Sequence, residues 1–244
     1  MARTAFLSDI HGNLLALQAV VADAQARGVD GFVNLGDIVS GPLWPAETAD
    51  YLMARDWPTI AGNHERQVLT LPDKKLSRAD RFTKAALSDA HKAWMAALPV
   101  DLWLSDQIYC THARPGNDHE YWLESVTPDG LRPASEAEIV ARMGDCRAAL
   151  TFHGHSHLPR MVELYDGRIT VNPGSVGLPA YADDEPFAHA IENGGPEARY
   201  CIHDDAAEAV TFHAVAYDHE AAARKAEAEG LDSWGRYLRE GLAR

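Results

Sequence analysis

The chain alternates short apolar runs with polar clusters, and the period of the runs switches in a regular order. Ala5-Phe6-Leu7 is a buried-strand pattern that stops at Ser8-Asp9. Helical spacing follows at once: Leu14, Leu17, Val20, Val21 and Ala24 share one face up to Gly28, with Asn13 as the expected N-cap. A second strand at 31–35 stops at Gly36-Asp37, and Pro45 opens a helix of about ten residues. A third strand near 58–60 runs into Gly62-Asn63-His64. Strand, polar loop, helix, strand is the βαβ grammar of a mostly parallel sheet in an α/β fold. In such sheets, ligand sites gather at the carboxyl ends of the strands.

Further along, residues 66–98 read as helical and amphipathic, and 107–110 as a strand ending at Thr111-His112. Residues 115–134 are rich in Pro, Gly and Asp and predict a long substrate loop anchored by Tyr121-Trp122. Ser135 and Glu138 form a capping box for the next helix. The run 148–152 is a strand that delivers a histidine cluster. Short β-type runs follow at 160–165, 168–172, 198–203 and 208–216, then a helical tail from about Asp218. No repeat or linker divides the chain, so 1–244 is expected to form a single domain.

Composition narrows the function. Hydrophobic residues make up 46% and charged residues 24%, ordinary values for a globular protein, but the formal net charge is −14. A surface that binds duplex nucleic acid should be basic, so the acidic balance argues against that partner. Cys110, Cys146 and Cys201 are far apart with no CxxC spacing, which predicts free thiols in a reducing compartment. The N-terminal run is too short for a signal peptide, and no apolar stretch approaches the roughly 18 residues of a membrane span. A cytoplasmic location without membrane attachment is the expectation.

The stretch Phe152-His-Gly-His-Ser-His-Leu-Pro159 places His153, His155 and His157 at alternating positions. Oxygen and imidazole donors recur at the other strand ends: Asp9-Ile-His11, Gly36-Asp37, Gly62-Asn63-His64 and His112. That mixture suits Mn, Fe, Zn, Co or Ni better than calcium. Taken in order, SDIHGN, NLGDIVSG, AGNHE, His112 and GHSH resemble the five signatures of calcineurin-like metallophosphoesterases, and VNPGSVG is a further stretch shared with small bacterial members.

The resemblance implies a four-layer α/β/β/α sandwich of two facing mixed sheets flanked by helices. It also implies two divalent metal ions, one held by Asp9, His11 and His157 and the other by Asn63, His112 and His155, with Asp37 bridging. His153 falls outside the motif and reads as a packed histidine. A hydroxide between the ions would attack phosphorus, with His64 assisting the leaving group. Two divalent cations outweigh two aspartates and a hydroxide, so an acidic protein would still attract a phosphate.

Departures from the family pattern refine the reading. The Asp-Arg-Gly of protein serine/threonine phosphatases is missing after Asp37, so the carboxylate that would steady His64 is absent there; Glu65 is the neighbouring candidate. Cys-Thr-His-Ala-Arg surrounds His112 where His-Gly is usual, which makes Arg114 a candidate phosphate ligand. Tyr121 and Trp122 are candidate substrate contacts, with Tyr181 beside them. The expected activity is metal-dependent hydrolysis of a small, nucleotide-like phosphomonoester or phosphodiester. The alternatives are a nuclease-like diesterase and a non-catalytic interaction scaffold of the same fold.

Overall fold

The computed structural model describes residues 3–243. Two mixed sheets carry the molecule. Strands β1 (Arg3–Leu7), β2 (Gly31–Asn34), β12 (Ala198–Asp204) and β13 (Ala209–Val215) form the first, in the order β13-β12-β1-β2. Only β1 and β2 run parallel in it. The second sheet contains β3 (Asp101–Trp103), β4 (Ile108–Thr111), β7 (Leu150–Phe152), β8 (Arg160–Glu163) and β9 (Ile169–Asn172), ordered β3-β4-β7-β9-β8. Its three central strands are parallel.

The sheets face each other. Phe6 of β1 stacks on Phe152 of β7 with ring centroids 3.5 Å apart, and Val33, Leu35, Cys110, Val171 and Cys201 close the layer between them. On the outer face of the first sheet, α1 (Leu14–Ala26) packs Leu17, Val20, Val21 and Ala24 against Ala5, Leu7, Tyr200 and Ile202. Asn13 caps this helix by accepting from the Ala16 N–H, as its spacing predicts. Helices α2 (Pro45–Met53) and α5 (Asp89–Ala97) complete that layer. Under the second sheet, α6 (Glu136–Met143) buries Ile139 and Met143 with Trp122, and Ser135 and Glu138 form the expected capping box. The order is therefore α/β/β/α. All three cysteines are free. No helix among the described residues is long and apolar enough to cross a membrane.

Several elements differ from expectation for local reasons. The third strand shrinks to one parallel bridge, Asn34 to Thr59, because Pro58 has no N–H to extend the ladder. The helical stretch 66–98 is cut into α3 (Asn63–Thr70), a 3₁₀ turn, α4 (Arg78–Ala86) and α5, with the breaks at Pro72 and at the N-cap serines Ser77 and Ser88. The 115–134 segment is not all loop: β5 (Glu124–Thr127) and β6 (Gly130–Pro133) form a hairpin within it. A second hairpin, β10 (Ala180–Asp183) with β11 (His189–Glu192), has no counterpart in the sequence reading. The tail folds back as a helical pair, α7 (His219–Ala228) and α8 (Asp232–Glu240).

Candidate functional site

The donors meet where the strands end. Asp9 and His11 follow β1, Asp37 follows β2, Asn63 and His64 open α3, His112 follows β4, and His155 and His157 follow β7. The first two loops are fastened to each other by the bonds Asp9 N–H to Gly36 O and His11 N–H to Asp37 O, both 3.0 Å. Asp9, His11, Asp37, His155 and His157 are five of the six non-glycine residues with positive φ among the described residues. Left-handed backbone is unfavourable for such side chains, so its concentration at the donors marks a site maintained against local preference. Gly154 permits the packing of this turn, since a Cβ there would overlap Ser8 and crowd the Asp9 carboxylate.

Two clusters of ligand atoms result, Asp9–His11–His157 and Asp37–His112–His155, all buried. The ring tautomers test whether these residues suit a cation. His11 Nδ1 donates to Ser40 O and His157 Nδ1 to Leu178 O, each at 2.7 Å. A neutral ring so bonded presents only a lone pair at Nε2. Those two Nε2 atoms lie 3.1 Å apart, and Asp9 Oδ1 is 3.4 Å from that of His157. In the second cluster His112 Nδ1 donates to Leu35 O and His155 Nε2 to His119 O, again 2.7 Å each.

Asn63 Oδ1 lies 3.1 Å from His112 Nε2, 3.0 Å from His155 Nδ1 and 3.3 Å from Asp37 Oδ2. Exchanging the amide oxygen and nitrogen would turn these contacts into hydrogen bonds, but the oxygen is the atom a cation needs. Acceptors facing acceptors in a buried pocket are unfavourable until positive charge is placed among them. The donor set fits divalent cations.

In the metal-free protein, protons supply part of that charge. Burial opposes a charged His112, but the charge and hydrogen bond of Asp37, 3.1 Å away, outweigh it and raise its pKa to about 10. Burial lowers His11 to about 4 and His155 to about 3. Asp9 falls to about 2, because the charge and hydrogen bond of His157 outweigh its burial. Asp37 is held well below the usual range by His112 and His64 in spite of its burial. His153 lies outside both clusters, beside Trp122 with ring centroids 5.1 Å apart, and burial lowers it to about 3.

The partner of His64 is a residue the motifs do not contain. His64 Nδ1 is 2.8 Å from Asp80 Oδ1 on α4, and Ser40 Oγ donates to the same oxygen at 2.5 Å. Ser77 Oγ donates to Asp80 Oδ2 at 2.6 Å. Burial works against a charged His64, but the charge of Asp37 and the hydrogen bond and charge of Asp80 raise its pKa to about 9. Asp80 is lowered in turn by His64 and the two serines, against its own burial. Glu65 makes no hydrogen bond to the His64 ring and adds to its shift only through its charge, after Asp37 and Asp80. Its carboxylate accepts from the N–H groups of Asp37, Ile38 and Gly62 at 2.8–2.9 Å and so fixes the loop that carries Asp37.

A cavity of about 920 Å³ opens above both clusters. Tyr121 lines it, with its hydroxyl 2.6 Å from that of Tyr181 and 3.0 Å from His189 Nε2. Trp122 does not: it is 1% exposed, and its indole N–H donates to Ile139 O, so the aromatic pair divides into one wall residue and one core residue. Arg114 is bound to Glu120 at 2.7 Å and is not part of the cavity wall. Asp118 is held by a bidentate contact from Arg66. Trp234 packs against the cluster of Leu43, Ala222 and Leu238 and stands edge-on to His11 at the cavity wall.

Known proteins agree with this architecture. The sequence is 29% identical to an uncharacterized protein of Methanocaldococcus jannaschii, covering 94% of each chain. The structure resembles a metallophosphoesterase from Sphaerobacter thermophilus with TM-score 0.78 and 25% identity, over 98% of this chain and 100% of that one. A hypothetical protein of Pyrococcus horikoshii superimposes with TM-score 0.77 at 18% identity, over 100% of both chains. Residues 3–193 match the calcineurin-like phosphoesterase superfamily domain, and the chain belongs to that family.

Proposed function

We propose that the protein hydrolyses small phosphate esters at a dinuclear divalent-metal site. Asp9, His11 and His157 would hold one ion and Asn63, His112 and His155 the other, with Asp37 available to both. The observation that carries this reading is the convergence of acceptors: four imidazole lone pairs, two carboxylates and an amide oxygen meet in two adjoining clusters. When bound, two such cations supply Lewis acidity toward phosphoryl oxygens and lower the pKa of water.

The remaining chemistry belongs to the chain. Hydrolysis adds a water oxygen to phosphorus, breaks the bond from phosphorus to the alcohol oxygen, and leaves that oxygen in need of a proton. His64 lines the cavity with Nδ1 committed to Asp80, so Nε2 is the atom that delivers it. Asp80 fixes the ring and favours its protonated form, while water resupplies the proton after turnover. Acid assistance of this kind contributes roughly 10²–10⁴-fold. An interaction scaffold has no use for a histidine–aspartate pair set beside the donors. A nuclease reading fits poorly with a formal net charge of −14.

The test is a rate measurement on Mn²⁺-loaded protein with p-nitrophenyl phosphate and bis-p-nitrophenyl phosphate. Turnover of either ester, abolished by chelation and restored by Mn²⁺, is expected, and the better ester fixes the class. Two bound ions per chain without turnover of any phosphate ester would refute the proposal.

A further inference from the structure

The family match ends at residue 193, but the cavity wall continues beyond it. Leu231, Ser233, Trp234 and Tyr237, on and just before α8, line the same cavity as the donor clusters. The Trp234 ring centroid is 6.0 Å from that of His11, edge-on, and a Cβ on Gly41 would come within 3.0 Å of its six-membered ring. An aromatic wall thus stands against the loop that carries Asp37 and Ser40. Trp234 and Tyr237 are both part-exposed, so their rings have surface left to offer a ligand.

The wall is well anchored. At Gly235, α8 crosses α7 so closely that a Cβ would run into Glu227, and Arg239 pairs with Glu220 and Glu227 across the same crossing. Leu238 packs with Leu43, Ala222, Ala223 and Ala226. Arg78 of α4 donates to Glu229 O, and Gly194 N–H donates to Gly241 O. Binding there demands little ordering of the protein.

At about 920 Å³ the cavity lies near the top of the range that takes drug-sized ligands, so it is far too large for a phosphoryl group alone. Asp183 and Glu185 line it as well. Such carboxylates accept hydrogen bonds from hydroxyl or amino donors, and Lys75, Arg78 and Arg142 on the same wall balance their charge.

We infer that α8 forms the leaving-group subsite, and that the substrate is a phosphate ester whose alcohol carries a planar aromatic ring with hydrogen-bond donors, a nucleoside in chemical class. Trp234 and Tyr237 receive the ring and thereby select the ester. The inference rests on the phosphoesterase reading above but is tested separately from it.

The experiment uses the full Mn²⁺-loaded chain and its variants Trp234→Ala and Tyr237→Ala, with Trp234→Phe to retain a ring should the alanine variant not fold. Binding of adenosine monophosphate and of glycerol 2-phosphate is measured by calorimetry, and hydrolysis of the same two esters by phosphate release. The wild type should favour the adenosine ester. Each alanine variant should weaken its binding roughly 5- to 100-fold, the range for a lost base–aromatic stack, and lower its preference over the glycerol ester by a similar factor. Equal losses for both esters, or no preference in the wild type, would overturn the inference. Binding that depends on α8 without hydrolysis of either ester would uphold the subsite and reject the phosphoesterase reading instead.

Discussion

Replacing Asp80 by Asn isolates the contribution of charge to His64. The amide oxygen can still accept from Nδ1, so ring orientation and tautomer are preserved while the negative charge is lost. Two unit charges about 4 Å apart attract by about 4 kcal/mol at an effective dielectric constant near 20. The His64 side chain is 28% exposed, and solvent screening reduces that figure. A hydrogen bond to a charged group is worth about 1.5–3 kcal/mol, which corresponds to a roughly 10- to 100-fold loss of kcat if the proton reaches the leaving oxygen in the transition state. The assay is a series of substituted phenyl phosphates under Mn²⁺ saturation. Phenyl phosphate, with a poor leaving group, should show the full loss, and p-nitrophenyl phosphate less than about threefold, because a weakly basic oxygen needs little acid assistance. The Asp80→Asn plot of log kcat against leaving-group pKa is therefore steeper than that of wild type. A loss uniform across the series would mean that Asp80 acts on something other than proton delivery, and no loss would mean that the Asp80 charge does not assist His64.

Three further outcomes are expected. With His112 raised to about 10, metal uptake at pH 8 must displace its proton, so Mn²⁺ titration in two buffers of different ionisation enthalpy should report release of at least one proton per chain; zero release contradicts the protonated pair with Asp37. In EDTA the melting temperature should peak near neutral pH. His64 and His112, raised to about 9 and about 10, contribute stability that is fully present below an unfolded pKa near 6.5 and lost as pH rises through those values. His11, His153 and His155, lowered to about 4, about 3 and about 3, contribute stability that is present above that pKa and lost as pH falls. Excess Mn²⁺ should flatten the limb between pH 7 and 9, and a metal-free melting temperature that climbs steadily to pH 9 would contradict the assignment. Finally, Trp122→Ala should destabilise the fold by about 3–5 kcal/mol in a denaturant titration, since a fully buried side chain is removed. Its effect on the preference between adenosine and glycerol esters should be slight, and a large change would return Trp122 to the list of substrate contacts.

Most of the donors were readable because their spacing is local. Asp9-Ile-His11 and Gly154-His-Ser-His157 place two donors within three residues, and a strand end is visible on either side. Asp80 is different. Ser77 and Asp80 have the spacing of a helix start, and Ser77 does cap α4. One carboxylate oxygen serves that cap, while the other, aimed at His64 sixteen residues away, leaves no trace in the spacing. The cavity-facing side of Trp234 leaves no trace for a similar reason: in a polar, alanine-rich tail nothing shows that a ring packed on Leu43 and Leu238 also faces a cavity formed by α8 folding back on the first loop. Trp122 carries two readings in the sequence, loop anchor and ligand contact, and the β5–β6 hairpin and α6 enclose it as the anchor. The β10–β11 hairpin leaves no signal because its strands are short and the residues between them, rich in Asp, Glu and Pro, have the composition of a loop.

The left-handed backbone at five donors bears on how this protein can be engineered. Each such residue is locally unfavourable by about 1–2 kcal/mol relative to right-handed or extended backbone, and glycine would relieve it. A sequence-design procedure that minimises the energy of the metal-free chain would therefore turn first to Asp9, His11, Asp37, His155 and His157. It would return a chain with a relaxed backbone at these turns and no metal chemistry left. Any stabilised version of this protein must keep these positions fixed and seek its gains in the outer helical layers.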